Sequence, residues 1–87
     1  MSQNTQIPQL YTVSTGQTLT LVSARAVSIL SDGGNSTIVN SSNQTMTLPD
    51  GATLEVQADG GNTLGQLTIT TSATALITSI GGVGQIT

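Results

Sequence analysis

The sequence predicts an all-β fold, a small antiparallel β-sandwich of about seven or eight short strands without a helix, with a small β-barrel as the alternative. Three observations lead to this fold class. Apolar and polar residues alternate over short segments such as residues 52–58 (ATLEVQA), which is the period of a half-buried strand. Turn residues separate these segments at intervals of roughly 8 to 12 residues. Apolar residues nowhere recur at helical spacing over three turns, so the predicted helix content is close to zero.

The chain begins with a polar segment. Residues 1–9 are predicted to form an N-terminal arm that packs on a neighbouring molecule through Ile7, because Pro8 lacks the N–H that a strand ladder needs. A single β domain is predicted to follow, over residues 10–80. Its first two strands, residues 10–13 and 18–22, are expected to pair as an opening β-hairpin.

Further strands follow from the same alternation. Apolar residues occupy both odd and even positions in residues 24–31 and 73–80, which predicts interior strands covered on both faces. Residues 37–40 and 44–48 are two short strands around a Ser-Ser-Asn turn. Residues 81–87 are predicted to be a glycine-rich tail outside the domain.

Residues 48–70 (LPDGATLEVQADGGNTLGQLTIT) are predicted to be the central hairpin of the fold. Two strands are joined by the Asp-Gly-Gly-Asn segment of residues 59–62, whose glycines supply the positive φ of hairpin turns. In the second strand, the apolar residues change from one face of the strand to the other. A β-bulge inserts one extra residue and produces such a change, so a bulge is predicted at residues 65–66. The first strand turns a polar row to solvent or to a neighbouring subunit: Thr53, Glu55 and Gln57.

The composition predicts a folded domain that needs neighbours. The chain of 87 residues has room for one domain. Ile, Leu and Val make up 22 of these residues, above the roughly 20% below which chains are commonly disordered. Tyr11 is the one aromatic residue and there is no cysteine, so the core is thin and has no disulfide to support it. We therefore predict a homo-oligomer, with a trimer favoured, or incorporation into a larger assembly.

The charge excludes two classes of partner. The net charge is −3 and Arg25 is the one basic residue, so the chain cannot form the Lys/Arg patch that binds nucleic acid or an anionic membrane. Residues 1–6 contain no signal segment, and the longest weakly polar run, residues 73–84, is too short to span a bilayer. The sequence therefore predicts a protein made in the cytoplasm.

No set of residues predicts catalysis, so we predict a non-enzymatic protein without a catalytic, cofactor-binding or metal site. His, Lys and Cys are absent, which leaves a Ser or Thr nucleophile with no ordinary base. Three of the four carboxylates precede glycine in turn sequences, and turn formation explains them better than glycoside hydrolysis or calcium binding. Arg25 is predicted to be an ordinary surface residue, with an inter-subunit ion pair as the alternative. The four acidic residues are Asp32, Asp50, Glu55 and Asp59.

Three segments give the chain a family resemblance: residues 48–51 (LPDG), 61–65 (GNTLG) and 75–78 (ALIT). Over residues 17–80 the chain resembles small β-sandwich proteins encoded among bacteriophage structural genes. The resemblance implies a structural protein of the virion, either a capsid decoration or cement protein or a head- or tail-associated subunit. It implies other virion structural subunits as partners, location in the virion and no catalytic residues.

Two other functions stay open at this point. A receptor- or glycan-binding module of a phage fibre or surface adhesin would stack sugars on an aromatic ring, and Tyr11 is the one ring available. A self-assembling β fibril is the third hypothesis, because few charges together with Gln, Asn and β-forming residues also describe cross-β sequences. The cement role is preferred, since it needs only buried apolar area and edge-strand hydrogen bonds.

Overall fold

The computed structural model describes residues 7–87, which form nine β-strands and no helix. The strands are β1 Gln9–Ser14, β2 Thr18–Val22, β3 Ala26–Asp32, β4 Ser36–Val39, β5 Thr45–Leu48, β6 Thr53–Gln57, β7 Gln66–Thr71, β8 Thr74–Ile80 and β9 Val83–Ile86. The predicted all-β fold is confirmed. The strands number nine, where about seven or eight were expected.

The strands form two antiparallel sheets that pack face to face, so the predicted sandwich is also confirmed. Sheet A has the strand order β1-β8-β3-β6, and sheet B has the order β5-β4-β7-β2-β9. Because successive side chains of a strand point to opposite faces, each strand turns one row towards the other sheet and one row outwards.

The core between the sheets is aliphatic. Its buried apolar residues are Val13, Leu19, Leu21, Ala24, Val27, Ile29, Ile38, Leu48, Leu67, Ile69, Ala75 and Ile77. Both sheets contribute, and Leu19, Leu21, Ile29 and Ile69 are among the largest side chains that are fully buried. Full burial of such a side chain stabilises a fold by about 1.5–3 kcal/mol.

Consecutive strands lie in different sheets at seven of the eight connections, and β4–β5 is the one hairpin within a sheet. The two short strands predicted around the Ser-Ser-Asn turn are present as β4 and β5, and they pair with Ser36 opposite Leu48 and Val39 opposite Thr45. The predicted opening hairpin is wrong, because β1 belongs to sheet A and β2 to sheet B. The predicted central hairpin is wrong for the same reason, because β6 belongs to sheet A and β7 to sheet B.

Both Asp-Gly-Gly-Asn segments carry the chain from sheet A to sheet B, between β3 and β4 and between β6 and β7. Gly33 and Gly60 have φ angles of 89° and 57°, so the glycines do supply positive φ, but at a change of sheet. Gly65, at the predicted β-bulge, has a φ of 73° and lies in the connection before β7, outside any strand.

The two strands predicted to lie in the interior, β3 and β8, are the inner strands of sheet A. Each has one fully buried row, while the other row is only partly covered.

The predicted tail, residues 81–87, is instead part of the domain: the chain turns at Gly81 and Gly82 and then pairs with β2 as β9. Residues 1–6 of the predicted arm lie outside the described residues, and Ile7 is exposed.

Candidate interaction surfaces

The four carboxylates are exposed. Asp50 accepts a hydrogen bond from the backbone N–H of Gly33 (2.8 Å), and its own N–H donates to the side-chain oxygen of Asn35 (3.1 Å). These bonds tie the turn between β5 and β6 to the connection between β3 and β4. Within residues 7–87, no three acidic side chains come together as a metal-binding group. The contacts of Asp50 are those of a turn residue.

Three serine side chains are buried with the core: Ser31, Ser36 and Ser79. The hydroxyls of Ser31 and Ser36 are 2.8 Å apart and hydrogen-bond across the two sheets, and the Ser36 hydroxyl also bonds that of Thr71 (3.1 Å). The hydroxyl of Ser79 has no hydrogen-bond partner among residues 7–87. None of the three has a histidine or lysine to activate it, because the chain contains neither.

Tyr11, the one aromatic residue, points into the sandwich. It shares its row of β1 with the buried Val13 and packs against the core cluster. Its ring lies against the backbone of Gly84 in β9 of the other sheet, and its hydroxyl donates to the side-chain oxygen of Gln9. The ring is therefore engaged in packing and only partly exposed, which leaves little of its surface for a sugar to stack on.

The outer face of sheet A carries an apolar surface, which we call the leucine face: Leu10, Leu30, Leu76 and Ile80. Leu30 is opposite Leu76, and Leu10 is opposite Thr78, which lies between Leu76 and Ile80 on β8. Leu10 is 76% exposed and Leu76 41% exposed. Contiguous apolar residues at a protein surface are typical of sites that contact another macromolecule.

The predicted outward row of Thr53, Glu55 and Gln57 is exposed on β6, as expected. It borders the leucine face, because Thr53 is opposite Leu30 in the register of β3 and β6. Glu55 is thus a carboxylate at the rim of an apolar surface, and Asp32, two residues from Leu30 on the outward row of β3, is a second one.

The outer face of sheet B is formed mainly by threonine, and we call it the threonine face. One row crosses four strands as Thr47, Thr37, Thr70 and Thr18, and the next row contains Thr45, Thr68 and Thr20. All five charged residues of the chain lie within residues 7–87, and none is on a strand of sheet B. Cross-strand threonine pairs stabilise a sheet by roughly 0.2–1 kcal/mol each, so a structural role accounts for this face.

A groove of about 450 Å³ opens between β5 and β6, and we call it the β5–β6 groove. Its apolar lining consists of Ile38, Met46, Leu54, Val56, Leu64 and Leu67. Met46 is opposite the buried Ile38, and Val56 is opposite the buried Val27, so both belong to inner rows. They are nevertheless 51% and 37% exposed. The exposure arises because sheet A ends at β6 while sheet B continues to β5.

Neither the leucine face nor the groove was predicted from the sequence. The signal for the leucine face is present in residues 73–80, where Leu76 and Ile80 have the opposite parity to the buried Ala75 and Ile77. This pattern predicts two covered faces for the strand, and within the described chain only one face is covered. An apolar second face is then a surface available to a partner.

Comparison of the chain with protein-family models, with curated proteins and with solved structures gives no match. Among residues 7–87 there is no helix of the length and hydropathy needed to cross a membrane. The function is therefore inferred from the surfaces described above.

Proposed function

We propose that this protein is a non-enzymatic structural subunit of a virus particle, a capsid decoration or cement protein or a head- or tail-associated subunit. It acts through protein–protein contacts with copies of itself, with a trimer favoured, and with other virion structural subunits. The leucine face is the observation that carries the structural role. The resemblance to small phage β-sandwich proteins supplies the kind of particle.

The size of the leucine face favours an assembly with several contacts per copy. The leucine face is part of the outer face of sheet A, whose four strands, about 4.8 Å apart and up to about seven residues long, cover roughly 450 Å² in projection. A stable pairwise interface buries about 800 Å² on each partner, so one such face supports only a weak pair. In a particle each subunit makes several contacts at once, and weak contacts add up.

The alternative function, a receptor- or glycan-binding module, has less support. Binding to sugars normally uses an exposed aromatic ring, and the ring of Tyr11 packs against Gly84. The fibril hypothesis requires identical segments stacked in register, whereas the nine strands here close into a sandwich with a buried core.

Sedimentation velocity over a range of protein concentrations tests the role of the leucine face. We expect the protein to self-associate and the double variant Leu10→Ser/Leu76→Ser to remain monomeric with an unchanged circular dichroism spectrum. The matched control is Thr20→Ser/Thr68→Ser on the threonine face, which should self-associate normally. A protein that stays monomeric at every concentration would overturn self-association through this face.

The virion assignment has a separate test. Particles are purified from the cells that naturally produce the protein, examined by electron microscopy and analysed by mass spectrometry. We expect the chain in the particle fraction in a fixed ratio to the main shell protein. Its absence from purified particles would overturn the virion role whatever its oligomeric state.

A further inference from the structure

We propose that the free edge of β6, together with the β5–β6 groove, binds an extended strand of a different protein, with apolar residues facing the groove and a Lys or Arg facing Glu55. The site goes beyond the proposed function, because it uses the edge of β6 and the β5–β6 groove, which the leucine face does not include, and does not require a virion. Addition of a strand to an exposed sheet edge is an established mode of peptide recognition.

The backbone of β6 provides hydrogen-bonding groups along this edge. The N–H of Ala58 donates to the carbonyl of Arg25 (2.8 Å), and the register then assigns the even-numbered residues of β6 to the bonds with β3. Alternate residues of an antiparallel strand direct N–H and C=O to opposite sides. Thr53, Glu55 and Gln57 therefore direct theirs away from β3, and β6 has no second neighbour among the described strands.

The groove provides the apolar contact. A strand added to β6 would lie about 4.8 Å beyond it, on the side where sheet B extends to β5. Its residues on either side of the one opposite Glu55 would point inwards, over Met46 and beside Val56. These two side chains are exposed although they belong to inner rows. An added strand would thus give sheet A a fifth strand, so that on this side of the sandwich sheet A would extend as far as sheet B.

Glu55 determines the kind of strand that fits. It is the middle residue of the free edge and is exposed. Opposite charges on directly facing residues stabilise an antiparallel pair, while like charges destabilise it. The residue that faces Glu55 is therefore Lys or Arg. A strand of a second copy cannot supply this basic residue. The chain has no Lys, and its one Arg, Arg25, lies outside the strands, between β2 and β3, with its backbone N–H already bonded to the carbonyl of Ile80 (2.7 Å).

Titration of the ¹⁵N-labelled protein with two blocked nonapeptides, TVTVKVTVT and TVTVEVTVT, tests the proposal by NMR. Both peptides present valines on one face, and they differ only in the central charge on the other. We expect the lysine peptide to shift the amide signals of Thr53, Glu55 and Gln57 and to slow their hydrogen exchange. It should bind about two- to fivefold more tightly than the glutamate peptide, as expected for one cross-strand charge pair. The preference should reverse in Glu55→Lys.

Gln57→Pro removes an edge N–H that the pairing with β3 does not use, so the domain should fold and lose the peptide. Gln57→Ala keeps the N–H and should retain binding. The proposal is overturned if neither peptide moves the β6 signals, or if both bind equally in the parent protein and in Glu55→Lys. It is also overturned if the β6 signals of the Leu10→Ser/Leu76→Ser variant, which does not associate through the leucine face, shift with protein concentration in the absence of peptide, because a second copy then occupies the edge.

Discussion

The ring of Tyr11 in β1 lies against the backbone of Gly84 in β9, and a Cβ atom at position 84 would be 2.5 Å from the Cζ atom of the ring. Gly84 is not among the glycines with positive φ, so glycine is required here for space and not for backbone conformation. The contact joins an edge strand of sheet A to an edge strand of sheet B. It closes this side of the sandwich, while the opposite side opens into the β5–β6 groove.

Gly84→Ala is expected to lower the free energy of unfolding by about 1–3 kcal/mol, the usual cost of overpacking. The matched control is Gly61→Ala, because a Cβ atom there meets nothing within 4 Å and the φ angle is not positive. The control should be neutral or stabilising by up to about 1 kcal/mol. Urea denaturation followed by circular dichroism measures both. Equal stability of the two variants would contradict the close contact with Tyr11.

Ser79→Ala is expected to leave the free energy of unfolding unchanged or to raise it, because a buried hydroxyl without a partner costs about 1–3 kcal/mol. Ser31→Ala should instead destabilise by about 1–2 kcal/mol, since it removes a partner of Ser36 and of the Gly34 carbonyl. The same denaturation experiment compares them. A loss at Ser79 as large as that at Ser31 would show that the Ser79 hydroxyl is bonded in solution.

Ser23→Gly is expected to stabilise the protein by about 0.5–1 kcal/mol. Ser23 has a φ angle of 63°, a left-handed conformation that costs an ordinary side chain roughly 1–2 kcal/mol. Asn43 has nearly the same angle, 62°, but asparagine tolerates it, so Asn43→Gly should change stability less. The melting temperatures of the two variants give the comparison, and a decrease for Ser23→Gly would be contrary to expectation.

Leu48→Ala and Met46→Ala are expected to differ, although both residues are on the inner row of β5. Leu48 is buried and Met46 is half exposed. Removing the buried side chain should cost about 2–5 kcal/mol, whereas the change at Met46 should cost under about 1 kcal/mol. Denaturation in urea measures the difference. A large loss at Met46 would mean that the β5–β6 groove is covered in the free protein.

The strands were largely predictable from the sequence because alternation of apolar and polar residues is a local property. Alternation does not indicate β9, whose inner row contains Gly84 where a core side chain would be expected. It also does not identify the partners of a strand. A glycine with positive φ, such as Gly60, serves a tight hairpin and a change of sheet equally well, and the choice depends on which apolar rows can be buried together.

The surfaces were less predictable, since exposure depends on how far each sheet extends. Leu76 and Met46 look like core residues in the sequence. Leu76 is exposed because only one face of sheet A is covered within the described chain, and Met46 because sheet A ends one strand earlier than sheet B. Glu55, by contrast, was predicted to face outwards from its parity in β6, and it does.

The alternation of consecutive strands between the two sheets also determines when the domain can form during synthesis. β1 pairs only with β8, with Val13 opposite Ala75, so it has no partner until residues 74–80 have left the ribosome. Only β4 and β5 can pair as soon as they emerge. Folding dominated by such distant pairings takes milliseconds to seconds. The nascent chain is therefore expected to stay open until β8 has emerged and to form its sandwich afterwards, a sequence of events that arrest of translation before β8 would reveal.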